Sequence, residues 1–143
     1  MTVNWNKAQK KSVITARWAV TMTKVRIRQV LSRTRWQFVT FYGKSGGESV
    51  GIVDLLAVRK DHGKPERKMK RGDALQLILI QVKGGGSAMP TAEDARRLRA
   101  VARLHHGRHV LLACWKRGTA AQFFRLNLAG NWTAVKNLEA FFA

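Results

Sequence analysis

The chain has 143 residues, 45% of them hydrophobic, which fits one domain of ordinary size with a substantial core. Lys and Arg number 27 against 8 Asp and Glu, and the formal net charge of +19 favours a polyanionic partner, because each neutralised phosphate releases a counterion. No run approaches the ~20 apolar residues that span a bilayer, and the single cysteine, Cys114, excludes an internal disulfide and a cysteine-based zinc site.

The N-terminal part of the chain is the most one-sidedly basic, since its first 47 residues contain no Asp or Glu. This composition resembles a mitochondrial transit peptide, so a mitochondrial origin stays open. We interpret the segment instead as part of the fold and as a nucleic-acid contact surface. The lone cysteine lies in an apolar run and indicates an intracellular protein. With DNA as the expected partner, we expect a cytoplasmic, nucleoid-associated location. A protein that is basic only for solubility, and one bound to a membrane surface, are the alternatives.

The predicted elements follow one another without a linker. An imperfect apolar stripe predicts a helix over about 7–32, in which a break near 21–23 is possible. Aromatic and β-branched residues predict a strand over 36–42, and a glycine-rich loop separates it from a second strand over 50–58. A polar connection over 59–73 leads to a strand over 75–82, so apolar that it should be buried on both faces.

A second helix is predicted from its ends. Thr91 and Asp94 form a capping-box pattern at its start, and Gly107 would end it in the left-handed conformation. One face carries Ala95, Leu98, Val101, Ala102 and His105. Strands over 109–115 and 122–128 follow, and residues 132–142 close the chain.

This order predicts an α/β fold. The strands over 50–58 and 75–82 should form an antiparallel hairpin, and those over 75–82 and 109–115 a right-handed parallel crossover. The result is a mixed sheet with helices packed on it. We expect a single domain, with a basic helical segment over 1–34, a core over 35–128 and an extension over 129–143.

Three polar residues stand out because they fall in apolar strands. Asp54 interrupts the run from 50 to 58, where an acid costs several kcal/mol unless it is paired or binds a cation. Gln81 and Lys83 lie near the end of the next strand, on one face, before three glycines. Two oxygens and an ammonium could bind Mg²⁺ and assist phosphodiester hydrolysis, and the glycines would let a phosphate approach. In the alternative, Asp54 and Lys83 form a buried ion pair while Gln81 caps a strand end.

The same residues resemble the PD-(D/E)xK nuclease superfamily, in which an Asp strand and a hairpin precede an (Asp/Glu/Gln)-x-Lys motif. The matching pieces are Gly51-Ile-Val-Asp54 and Ile80-Gln-Val-Lys83. The loop over 41–47 resembles that of archaeal-type Holliday junction resolvases, in which a serine matters, here Ser45. Residues 84–115 resemble both those resolvases and the VRR-Nuc nucleases. The similarity covers about 35–128.

The resemblance implies a restriction-endonuclease-like fold with an αβββαβ core. It also implies a structure-specific endonuclease that hydrolyses branched DNA in recombination and repair. The expected cofactor is Mg²⁺, with Mn²⁺ able to substitute, and the expected assembly is a homodimer because a four-way junction has two symmetric cut sites.

The chain departs from the family pattern in three places. Val53 replaces the usual proline, which many members lack. Gln81 replaces the second acid, as it does in the end-cutting nuclease subunit of some bacterial transposons. The resolvases place a glutamate on the first helix, and Glu48 is the only nearby replacement here. The implied catalytic residues are therefore Asp54, Gln81, Lys83 and Ser45, and the implied metal ligands are Asp54, Gln81 and Glu48.

Several basic residues could contact phosphates around this site, and no base-reading motif accompanies them, so we expect recognition of DNA structure. These candidates are Lys44, Lys24, Arg28, Arg33, Arg96, Arg99 and Arg103, together with Lys10, Lys11 and Arg17 of the first helix and Lys64, Arg67, Lys68, Lys70 and Arg71 of the connection over 59–73. The histidines at 105, 106 and 109 are interpreted as helix-end and core residues, and an exposed tryptophan could stack on an unpaired base. Two alternatives remain. One is a non-catalytic DNA- or RNA-binding protein with a nuclease fold. The other is a subunit of a transposition or repair complex that acts only beside a partner.

Overall fold

A computed structural model describes residues 4–31, 35–43 and 50–143 of the chain. Its elements are α1 (Trp5–Val30), β1 (Gln37–Thr40), β2 (Leu55–Lys60), β3 (Leu75–Gly84), α2 (Ala92–Leu104), β4 (His109–Trp115), β5 (Gln122–Leu126), β6 (Trp132–Ala134) and α3 (Leu138–Phe142). The strands form one sheet in the order β1-β2-β3-β4-β5-β6. β3 and β4 are parallel and every other pair is antiparallel, so the expected α/β class with a mixed sheet is confirmed.

Two hydrophobic clusters cover the two faces of the sheet, because successive residues of a strand point to opposite sides. Ile78 and Ile80 of β3 belong to the cluster that includes Ile27 of α1 and Phe142 of α3. Leu79 belongs to the other cluster, with Leu98 of α2. The prediction that β3 is buried on both faces is therefore confirmed for its centre.

The helix α1 is continuous across the residues where a break was possible. Its N-cap residue Asn4 accepts a hydrogen bond from the Lys7 N–H at 3.2 Å. The buried hydroxyl of Thr23 donates to the Ala19 carbonyl at 2.7 Å, which satisfies the polar group inside the helix. The β-branched residue is thus accommodated without interrupting the helix.

The helix α2 begins as predicted and ends differently. Thr91 and Asp94 form the reciprocal capping box. His106, with φ 53°, takes the left-handed conformation that was expected of Gly107. Gly107 instead packs closely on the sheet, since a Cβ there would lie 2.7 Å from Leu79 Cδ1 and the leucine side chain would have to shift. His105 is exposed, so its predicted place on the apolar face is wrong.

Strand ends differ most from the prediction near the polar residues. β2 begins at Leu55, so Asp54 precedes the strand and does not interrupt it. β3 continues to Gly84, so Gln81 and Lys83 lie within it. Among the described residues, no helix is both long and apolar enough to cross a membrane.

Candidate functional site

A cavity of about 640 Å³ lies between α1 and the sheet, beside Asp54 and the end of β3. Asp54, Gln81 and Lys83 all line it, together with residues of α1 and of the segment that follows β1. The register explains this convergence, because Leu55 of β2 is the partner of Ile80 in β3. Positions 54, 81 and 83 therefore come together at one end of the sheet, as the sequence predicted.

Backbone and side-chain hydrogen bonds hold Asp54 in place. Its N–H donates to the Ile80 carbonyl at 3.0 Å, and its carbonyl accepts from the Phe41 N–H at 3.1 Å. Its carboxylate Oδ2 accepts from the Val82 N–H at 2.8 Å. Because Leu55 also pairs with Ile80, the pairing is irregular here, and a side-chain oxygen satisfies a β3 donor that faces β2. The carboxylate is thus fixed at the point where the strand begins.

Gln81 is the buried polar residue of the cavity, with 7% of its surface exposed. Its Oε1 has no hydrogen-bond partner within residues 4–31, 35–43 and 50–143. A buried acceptor without a partner costs about 1–3 kcal/mol, so this oxygen favours a cation or a hydrogen-bond donor. The alternative that Gln81 caps a strand end is wrong, because β3 continues three residues beyond it.

Lys83 is half-buried and is the register partner of Cys114 in β4. Burial raises the pKa of the Cys114 thiol, and the nearby Lys83 charge only partly opposes this. Lys83 also helps to lower the pKa of the Asp94 carboxyl, for which the Thr91 backbone hydrogen bond is the main cause. The lysine charge is therefore felt at the start of α2 as well as in the cavity, and the thiol is not activated as a nucleophile.

The glycines after Lys83 serve mainly to admit α1. A Cβ on Gly84 would lie 2.9 Å from the Ala19 Cβ, and one on Gly85, which has φ +63°, would lie 3.3 Å from Thr15 Cγ2. All three glycines also line the cavity, so the expectation that they let a phosphate approach stays a prediction. A Cβ on Gly86 would meet no described atom within 4 Å.

Lys11, Thr15 and Arg17 of α1 also line the cavity. The sequence offered Lys11 and Arg17 as phosphate contacts without placing them beside Asp54, and it did not single out Thr15. The four-residue spacing of Lys11, Thr15 and Ala19 on one helix face was the available signal. The described lining residues carry three cations, Lys11, Arg17 and Lys83, and one carboxylate, Asp54. Positive charge is therefore in excess among the lining residues that the structure describes.

The other predicted basic residues take different places. Lys24 donates from Nζ to Thr40 Oγ1 at 3.0 Å, and Thr40 lines the cavity. Arg28 lies over the Phe38 ring, 5.5 Å from its centroid. Arg99 donates to the Asn127 carbonyl, which ties α2 to the turn between β5 and β6. Arg96 and Arg103 are exposed on α2. Outside the described residues lie Arg33, Lys44, Ser45 and Glu48.

Histidines do not gather with other ligands in the described ranges, which contain no group of three or more His, Cys, Asp or Glu placed to hold a metal ion. The His109 ring lies 5.0 Å from that of Phe141, and burial lowers the pKa of its imidazole. His105 and His106 are exposed after α2.

No model of a known protein family matches the chain, and no curated protein has a matching sequence.

Proposed function

We propose that the chain is a Mg²⁺-dependent endonuclease of the PD-(D/E)xK type that hydrolyses branched or otherwise structured DNA. The observation that carries the proposal is the convergence of Asp54, Gln81 and Lys83 on one cavity, with the Gln81 oxygen buried and without a partner among the described residues. The order of α1 to β4 agrees with the αβββαβ core that the motif resemblance implies.

The residues fit a divalent cation with few protein ligands. Asp54 offers a carboxylate and Gln81 an amide oxygen, and Mg²⁺ binds oxygen while keeping several waters. The unpartnered Gln81 oxygen favours this assignment because a bound cation would satisfy it. When bound, the cation would polarise the phosphate and lower the pKa of a water molecule. Mn²⁺ is expected to substitute.

The chain's own groups would position the carboxylate, stabilise charge and bind the flanking phosphates. The Val82 N–H holds the Asp54 carboxylate in position. Lys83 would stabilise the charge that develops on the phosphate during hydrolysis. Lys11 and Arg17 would hold the flanking phosphates from the α1 side. Contributions from Ser45 and Glu48 remain predictions, as does the homodimer that two symmetric cuts in a four-way junction would require.

Cleavage assays on labelled four-way junction, splayed-arm and linear duplex DNA, each with Mg²⁺ or Mn²⁺, test the proposal. Lys83→Ala should lower the cleavage rate by about 100-fold or more, because a charge-stabilising group is removed. Lys136→Ala is the matched control, since Lys136 is exposed and lies outside the described lining of the cavity. Tight DNA binding without cleavage under either cation would contradict the proposal.

A non-catalytic nucleic-acid-binding protein is the second candidate, favoured by the cationic lining of the cavity. Three cations against one carboxylate suit an anion even without a metal. In that case the role of Asp54 would be structural and would include accepting from the Val82 N–H. A nuclease requires the Asp54 charge for cleavage, whereas a binding protein would bind DNA equally well or better without it.

A further inference from the structure

Two aromatic side chains stand at the mouth of the cavity. Phe41 and Tyr42 follow β1, line the cavity and expose 42% and 60% of their surfaces. Proteins that bind single-stranded nucleic acid use exposed aromatic rings beside a cationic groove, because every base has a face that can stack on an aromatic ring. The rings therefore add a base-binding element to a site that otherwise offers only phosphate and metal contacts.

The size and walls of the cavity restrict what can enter it. About 640 Å³ lies within the range of roughly 300–1,000 Å³ for pockets that enclose a small molecule, and a nucleotide belongs to that size class. The α1 wall is held close to β3, because Gly84 leaves no room for a Cβ beside Ala19. The bases of an intact duplex are stacked on one another, so only an unpaired or extruded base can present its face to Phe41 or Tyr42.

We infer that the cavity takes one unpaired nucleotide next to the cleaved bond, with its base on Tyr42 or Phe41 and its phosphates on Lys11 and Arg17. The substrate class is then DNA with an unpaired nucleotide, such as a flap or a splayed arm, in preference to fully paired DNA. Cleavage of that substrate rests on the proposed function, whereas the binding preference can be measured without it.

Binding in the presence of a chelator separates recognition from cleavage. A splayed arm that carries 2-aminopurine at the first unpaired position should show quenching when the base stacks. Replacing both rings, as Phe41→Leu together with Tyr42→Leu, keeps apolar side chains but removes the stack. We expect affinity for the splayed arm to fall about 10-fold or more, and affinity for linear duplex to stay within about twofold.

Two controls make this result specific. Tyr42→Phe keeps the ring and should retain both quenching and affinity. Trp18→Leu removes a tryptophan that is 53% exposed on α1 but lies outside the described lining, and it should leave both unchanged. Equal losses for splayed arm and duplex, or no loss in the double variant, would overturn the inference.

Failure of the nuclease proposal would look different. If no DNA is cleaved but the double variant still loses splayed-arm affinity selectively, the nucleotide site stands and the enzyme does not. If paired duplex is cleaved and the double variant binds the splayed arm normally, the enzyme stands and the nucleotide site does not.

Discussion

The two long helices carry similar basic residues but stand in different relations to the polar cavity. α1 crosses the end of β3 and supplies Lys11, Thr15 and Arg17 to the cavity lining. α2 packs on the opposite face through Leu98 and contributes no residue to the described lining. A basic helix in the sequence therefore says little about which phosphates it can reach, and its position over the strand ends decides this.

Acidic residues differ in the same way. Asp54 lies in the cavity and accepts from the Val82 N–H. Asp94 accepts from the Thr91 N–H at the start of α2, where it completes a capping box. Each carboxylate thus satisfies a backbone donor, and only Asp54 is also placed to contribute to chemistry in the cavity.

Exchanging each carboxylate for its amide gives the largest expected contrast. Asp54→Asn should lower the cleavage rate by about 100-fold or more, because the anionic metal ligand is lost, while the amide oxygen can still accept from Val82. Cleavage of a labelled splayed arm with Mg²⁺ measures the effect. Titration of the same DNA with a chelator present, which prevents cleavage, measures binding.

Asp94→Asn is the matched control on the α2 side. Cleavage should remain within about twofold of the parent chain, because the residue acts on the helix end. Equal cleavage by both variants would remove Asp54 from the mechanism, whereas binding without cleavage by the parent chain and both variants would favour the non-catalytic binding protein.

Packing of α1 offers a second contrast, between two neighbouring glycines. Gly84→Ala should destabilise the fold by about 1–3 kcal/mol, because its Cβ would press on Ala19 and on the Thr15 backbone. Gly86→Ala should change stability by less than about 1 kcal/mol, because no described atom lies within 4 Å of its Cβ. Urea unfolding monitored by tryptophan fluorescence measures both. Similar stabilities for the two variants would mean that α1 does not pack tightly on β3 in solution.

The elements were largely predictable from the sequence because local patterns dominate them. The capping pattern of Thr91 and Asp94 gave the start of α2, and the apolar run from His109 to Trp115 matched β4. The parallel pairing of β3 with β4 followed from the intervening helix. Asp54, Gln81 and Lys83 could be found because polar residues in apolar strands are costly unless they have a purpose.

Contacts between distant parts of the chain could not be predicted in this way. The role of Gly84 depends on which face of α1 meets β3, and no local pattern specifies that packing. The hydrogen bond from the Val82 N–H to the Asp54 carboxylate replaces regular strand pairing, so β2 begins at Leu55 and not at position 50 as predicted. Lys11 lines the cavity because α1 packs over the strand ends, and the sequence near Lys11 does not specify that packing.

The smallest contrast concerns single cations on the two helices, and salt dependence resolves it better than affinity at one salt concentration. Lys11→Gln should reduce the slope of log K against log salt by about 1, because one phosphate contact and its released counterion are lost. Arg103→Gln removes an exposed α2 cation outside the described lining and should leave the slope nearly unchanged. Titrations of a splayed arm at several salt concentrations, with a chelator present, measure both slopes. If Arg103→Gln changes the slope as much as Lys11→Gln does, the DNA contacts both faces of the sheet. Both helices would then bind phosphates, and the position of α1 over the strand ends would not set it apart from α2.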